Sequence, residues 1–210
     1  MLGKGFAMNG RKINHKVLFV ILFDLLIIVT LVIYFGFIRQ PVGVTIDGVY
    51  MDHPVEISEL NFLDHNGKPF SKKNLQGHWS MLFFGYTSCP MVCPTTMVQL
   101  DAMVKLLQQD LPTKQLPQII FISVDPDKDT SKNLKLFIAK FNPRFIGLRA
   151  NIMETARLEK ELHVTVTGKE NINHSMDILL INPQGKVQAY FHFPHRAEAL
   201  ARDYRVIVGN

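Results

Sequence analysis

The sequence predicts an α/β domain, a mixed sheet flanked by helices, carried behind one N-terminal membrane-spanning helix. Three observations predict it. Residues 17–38 are almost wholly apolar. Short apolar runs at residues 79–86, 118–124 and 176–181 have the length and content of strands buried on both faces. Between and after them lie stretches whose apolar residues recur at helical spacing.

With 210 residues, 47% apolar and 20% charged, the chain holds one ordinary domain with a sizeable core. At helical rise, residues 17–38 span the hydrocarbon core of a bilayer. Lys4, Arg11, Lys12 and Lys16 precede this run and Arg39 alone follows it closely. By the positive-inside rule, residues 1–16 stay cytoplasmic and everything beyond the span is exported. The run is long for the core of a signal peptide and no small-x-small cleavage site follows it, which favours an uncleaved anchor. Asp24 reads as a tolerated residue near the inner leaflet; a partner or ion path is the functional alternative. Residues 39–54, with Pro41, Gly43 and Gly48, read as a tether, and residues 55–210 as the exported domain.

The net charge of +5 does not point to nucleic acid. Five of the 23 Lys/Arg and one of the 18 Asp/Glu fall in residues 1–39, which leaves 18 against 17 in the rest. The positive excess is topological.

Within the exported part, residues 57–62, Asn66-Gly67 and Pro69-Phe70 read as a hairpin about a turn dipeptide. Residues 79–86 form the first long strand. Met97, Leu100, Met103, Val104, Leu107 and Leu111 make a helical stripe over 95–111, ended by Pro112. The methionines at 97 and 103 belong to that apolar face, not to a copper site. Residues 118–124 form a second buried strand, and Asp129 or Thr130 caps the helix carrying Leu134, Phe137, Ile138 and Phe141. A short strand over 145–148, a helix over 152–162 and an extended piece at 164–166 follow. A polar loop then leads to His174 and the strand at 176–181. Asn182-Pro183-Gln184-Gly185 turns the chain into 186–191, and a helix over 196–204 closes it. Strand–helix–strand–helix, then a hairpin and a final helix, is the thioredoxin-like plan, with a strand–helix insertion before the hairpin.

Chemistry concentrates in Gly85-Tyr86-Thr87-Ser88-Cys89-Pro90-Met91-Val92-Cys93-Pro94, which holds both cysteines of the chain. A thiol at a helix N-terminus meets unpaired N–H groups and the positive end of the helix dipole, which favour the thiolate. Thiolates at i and i+4 lie close enough to share a metal ion or close a disulfide. In this plan the loop after the second strand, with Asp125, and the loop before the third, with His174, reach the same end of the sheet. Two sulfurs and an imidazole are a soft ligand set that suits copper, Cu(I) or Cu(II), or zinc. A structural zinc site wants four closed ligands, so three favour an open, exchangeable copper site. Asp125 is placed to orient His174 or add a weak ligand, or else simply to bond the turn after its strand. His53, His65, His78, His163, His192 and His195 read as surface or packing residues, and His15 as part of the cytoplasmic flank. Redox thioredoxin domains use Cys-x-x-Cys and a cis-proline before the third strand. Here the spacing is one residue longer, and Asn171-Ile172-Asn173-His174-Ser175 has no proline.

These features resemble the Sco/SenC family, membrane-anchored thioredoxin-like copper proteins that help assemble the CuA centre of cytochrome c oxidase. The resemblance runs from residue 57 to the C-terminus. Its carriers are the cysteine motif, Ser123-Val124-Asp125-Pro126-Asp127-Lys128-Asp129-Thr130, and Asn173-His174-Ser175 followed by Leu179-Leu180-Ile181-Asn182-Pro183-Gln184-Gly185-Lys186. It implies that Cys89, Cys93 and His174 ligate copper and that Asp125 matches the family's aspartate near the site. Family members often carry aspartate where Met91 stands, a departure that removes a negative charge beside the thiols. Met91 is then a transient third sulfur or an apolar residue that docks on the partner. The implied partners are a copper donor protein and the CuA-bearing oxidase subunit. The implied role is a metallochaperone, not an enzyme with turnover. The alternative is a thiol–disulfide oxidoreductase that uses Cys89 and Cys93 as a redox pair to reduce the acceptor's cysteines and needs His174 far less. A peroxiredoxin-type peroxidase fits poorly with a paired Cys89/Cys93. The short basic N-terminus, without a long Arg/Ser-rich transit peptide, favours a bacterial inner membrane, with the domain outside the cytoplasm.

Overall fold

The structure, a computed structural model, describes residues 15–38, 45–167, 173–174 and 176–209. The chain divides into two units, Met1–Gly43 and Val44–Asn210. In the first, α1 (His15–Ile38) is a single helix of 24 residues, about 36 Å at helical rise. Its side chains are exposed over His15–Tyr34, a stretch long and apolar enough to cross a membrane. Thr30 Oγ1 donates to Leu26 O at 2.7 Å, so this hydroxyl is satisfied within the helix itself. Residues 1–14, most of the flank expected to be cytoplasmic, and residues 39–44, the start of the expected tether, lie outside the described residues.

The second unit runs β1 (Val49–Glu56), β2 (Phe62–Asp64), β3 (Pro69–Phe70), β4 (Ser80–Gly85), α2 (Val92–Leu107), β5 (Gln118–Ser123), α3 (Ser131–Ala139), β6 (Ile146–Arg149), α4 (Ile152–Glu161), β7 (Val166–Thr167), β8 (Asn173–His174), β9 (Ile178–Ile181), β10 (Lys186–Phe191) and α5 (Ala197–Val208). Eight strands form one mixed sheet in the order β1-β10-β9-β4-β5-β6-β2-β3, while β7 and β8 pair separately. β4 and β5 run parallel in register from Ser80↔Gln118 to Gly85↔Ser123, and β6 continues the parallel set. β9 flanks β4 antiparallel, from Ser80↔Ile181 to Phe83↔Ile178.

Both faces of the central strands are buried, as their unbroken apolar runs predict. Successive side chains point to opposite faces. Met81 and Phe83 of β4 join Leu100, Met103, Phe137 and Tyr204 in one core layer, which contains residues of α2, α3 and α5. Leu82 and Phe84 join Ile120, Ile122, Leu158 and Leu179 in the other, which takes in α4 and the β2–β3 hairpin. This double cover makes the plan thioredoxin-like and fixes where β4 and β5 end.

Several expected boundaries move. The stretch read as a tether contains most of β1, which pairs antiparallel with β10 from Val49↔Tyr190 to Glu56↔Lys186, with a register shift between Tyr50 and Val55. Its side chains are half-buried or exposed, so no apolar alternation announces an edge strand there. The Asn66-Gly67 hairpin forms, but its first strand is β2 at Phe62–Asp64, not 57–62. Ile57 and Leu60 are buried without being in a strand. The helix expected over 95–111 is α2, one turn earlier, with Pro94 in its first turn where a missing N–H costs nothing. Thr130, not Asp129, caps α3, accepting from Asn133 N at 3.2 Å.

α3 lies against β6 at Gly147. A Cβ there would come within 2.6 Å of Leu134 Cγ and 3.0 Å of Ile138 Cγ1. Gly147→Ala is therefore expected to destabilise the domain by about 1–3 kcal/mol through overpacking, read as a lower denaturant midpoint in equilibrium unfolding. An unchanged midpoint would mean that α3 shifts freely on the sheet.

Candidate metal centre

The parallel strands β4 and β5 end side by side, and the ladder runs one step past them: Val124 N donates to Gly85 O at 2.9 Å. From that edge one chain turns into the cysteine loop and α2, the other into Asp125 and α3. Gly85 is required at the first exit. A Cβ on it would lie 2.8 Å from Cys93 Sγ and 2.7 Å from Phe121 Cε2, so the thiol occupies the space a side chain would fill.

Cys89 and Cys93 are not joined in a disulfide, and their settings differ, half-buried and buried respectively. Met91 stands at the N-cap of α2 and provides no side-chain cap. Cys89 Sγ takes that part instead, accepting from Cys93 N at 3.4 Å. Burial opposes the Cys89 thiolate, but hydrogen bonds from Cys93 and from the backbone of Met91 and Val92 outweigh it and bring its pKa below the ordinary thiol value. Cys93 goes the other way. Burial pushes its thiol well up; the Tyr86 N–H partly offsets this, and the sulfur of Cys89 and the charge of Asp129 add to it. Burial also raises the Tyr86 hydroxyl, helped by Cys89, Cys93 and Asp125.

Asp125 lies where its sequence position suggests, at the end of β5. Its carbonyl accepts from Lys128 N and Asp129 N, and Lys128 Nζ is 3.3 Å from Oδ2. Bonding the following turn is thus one thing it does. β8 contains His174, paired in backbone register with Val166. The His174 side chain, the loop 168–172 and Ser175 lie outside the described residues. Among the described residues no cluster of three His, Cys, Asp or Glu could hold a metal. The two facing sulfurs fit the thiolate part of a soft-metal site, and a third ligand must come from elsewhere. Of the other histidines, His65 Nδ1 accepts from Gly147 N at 3.0 Å and His195 is buried with Nε2 2.7 Å from Met176 O. Both are packing residues, as expected.

Asp129, read from sequence only as a candidate cap, proves central to the site. It is fully buried. Its carboxylate accepts from Thr87 N at 3.2 and 3.1 Å, from Thr87 Oγ1 at 2.5 Å and from Ser123 Oγ at 2.7 Å. It ties the start of the cysteine loop to the end of β5. The signal available in the sequence was the pairing of Thr87 and Ser123, two hydroxyls at adjacent strand ends, with an acid shortly after.

The unlike settings of the thiols give a direct expectation. Limited alkylation of the reduced protein with iodoacetamide at neutral pH labels Cys89 first, with Cys93 slower by at least about tenfold, as peptide mass spectrometry reads it. Equal labelling would mean that the loop opens as a unit.

Comparison with known proteins places the chain among relatives. The SCO1/SenC family model matches residues 51–209. A Stutzerimonas stutzeri protein described as copper-binding is 32% identical over 160 residues, covering 73% of this chain and 78% of its own length. The mitochondrial SCO2 homologue of Danio rerio is 31% identical over 141 residues, 64% of this chain, which spans only 50% of that protein. The crystal structure of Arabidopsis thaliana ScoI with copper bound superposes with a TM-score of 0.68 at 26% identity, covering 73% of this chain and 98% of that one. By sequence and by fold, the chain belongs to the SCO1/SenC family.

Proposed function

We propose that this chain is a membrane-anchored copper carrier that supplies the CuA-bearing subunit of cytochrome c oxidase during its assembly. The observation that carries the reading is the pair of thiols at Cys89 and Cys93, Cys89 Sγ accepting from Cys93 N at the start of α2 and Cys93 Sγ packed against Gly85. Copper is the cargo. Cys89 and Cys93 hold it through sulfur, His174 completes the set, and a copper donor protein loads it. Soft thiolates select Cu(I), and the imidazole extends the site to Cu(II). Asp125, just past the end of β5, orients His174. Transfer proceeds by ligand exchange, with acceptor thiolates replacing one donor at a time. α1 spans the inner membrane of a bacterium once, with the N-terminus cytoplasmic and the domain on the periplasmic side.

Reduction of the acceptor's disulfide is a second reading, favoured by the unequal thiols. The Cys89 thiolate attacks one acceptor sulfur, breaks its S–S bond and forms a mixed disulfide. Cys93 then gives up its proton and attacks Cys89 Sγ. The acceptor leaves with two electrons and two thiols, and Cys89–Cys93 is the disulfide left behind.

His174→Ala separates the two. Under copper delivery the variant loses stable Cu(II) binding, seen as loss of the copper absorption bands, and fails to restore oxidase activity in a strain lacking the protein, while Cys89 and Cys93 still cycle. Near-normal rescue would leave disulfide reduction as the function. Met91 is 71% exposed between the thiols, the setting of a docking residue. Met91→Leu is accordingly expected to keep the wild-type rate of Cu(I) transfer to the acceptor. A slowed transfer with unchanged docking affinity would make its thioether a ligand on the path.

A further inference from the structure

At the end of the sheet away from the cysteines, the starts of β4, β5 and β6 open onto two adjoining cavities. One, of about 470 Å³, has apolar walls from Val104, Leu116, Pro117, Ile119 and Phe145. The other, of about 560 Å³, is polar and contains Lys68 and Lys73. His78, Gln118 and Ile146 line both, so the two are halves of one cleft. Each half falls within the ordinary size of a small-molecule site. β4 is six residues long, which puts the cleft roughly 20 Å from the thiols and outside their chemistry.

The charges of the cleft point one way. Lys114 and Arg144 line the apolar half, and Lys68 and Lys73 the polar half. All four are exposed, and among the described residues none of them forms an ion pair. Asp64 is the one carboxylate in the lining, and its Oδ1 already accepts from Asn66 N and Lys68 N at 2.8 Å each. Gln118 is also engaged, through Nε2 to Asn74 O at 3.2 Å. An apolar slot beside uncompensated cations matches a ligand with an apolar body and a single anionic head.

We infer that this cleft binds an amphipathic anion, an acyl or aryl chain seated against Val104, Ile119 and Phe145 with a carboxylate or phosphate head held by Lys114, Arg144 and the neighbouring lysines. The apolar half supplies the area and the cations choose the head. Such a ligand comes either as a free amphiphile or as a bilayer lipid.

The test uses the full chain in phosphatidylcholine nanodiscs, with isoleucine methyl groups labelled for NMR. 4-Phenylbutyrate is expected to shift the Ile119 and Ile146 methyl signals saturably while Ile178 and Ile181 of β9 stay in place. 4-Phenylbutanol, its neutral twin, binds at least about fivefold more weakly, and Lys114→Gln with Arg144→Gln weakens phenylbutyrate by a similar factor. Both substitutions are on exposed side chains, and unchanged β9 methyl signals confirm that the variant is folded. If the same shifts appear in phosphatidylglycerol nanodiscs without added probe, the bilayer is the source of the anion; if they need phenylbutyrate, the source is a free amphiphile. No saturable shift from either, alcohol and acid binding alike, or a double variant that binds as wild type overturns the inference.

Discussion

A carboxylate without solvent underlies the arrangement of this site. Asp129 is fully buried, and the donors around it come from two places that are far apart in sequence, Thr87 in the cysteine loop and Ser123 at the end of β5. A buried charge is tolerable only while its hydrogen bonds are made, and removing one partner costs several times what the bond contributes on balance. The cysteine loop cannot swing away from β5 without stranding that charge. Gly85 acts from the other side. It leaves room for Cys93 Sγ beside Phe121, so the buried thiol is held by steric fit as the loop is held by charge. Together these two constraints convert a flexible-looking run of Thr, Ser, Pro and Gly into a fixed sulfur platform.

The main strands and helices were legible because their signals are local. Runs such as Met81–Leu82–Phe83–Phe84 can be satisfied only between two layers, and the two core layers take alternate members of it. The cysteine spacing and the strand ends that meet there were legible for the same reason. What stayed hidden depends on partners distant in the chain. β1 carries half-buried and exposed side chains and pairs on one side only, so its pattern resembles a linker's. Asp129 sits in Asp-Pro-Asp-Lys-Asp-Thr, which by composition is a solvated turn. Thr87, 42 residues earlier, and Ser123 supply the hydrogen bonds that replace water around it. The role expected of His174 rests on topology and family resemblance.

The division of the expected donors between two elements bears on how a carrier can both hold and release its cargo. One sulfur comes from the cysteine loop and the other from the first turn of α2, and both are anchored to the central sheet through Gly85 and Asp129. β8, which contains His174, belongs to a separate two-stranded ladder. In the copper-delivery reading, three donors on one rigid element would bind tightly and let go slowly, because losing any ligand would distort the fold that presents it. Donors divided between two elements avoid this. In that reading the imidazole is the donor that leaves first, opening one coordination position to an incoming acceptor thiolate while the two sulfurs keep the ion. Of these, Cys89 is the more exposed and the more readily ionised, so the same reading has it meet the acceptor and Cys93 part last. The same inequality that suits stepwise release of a soft ion also suits a nucleophile and its resolving partner. One platform suits either chemistry, and the two readings differ in what they ask of His174.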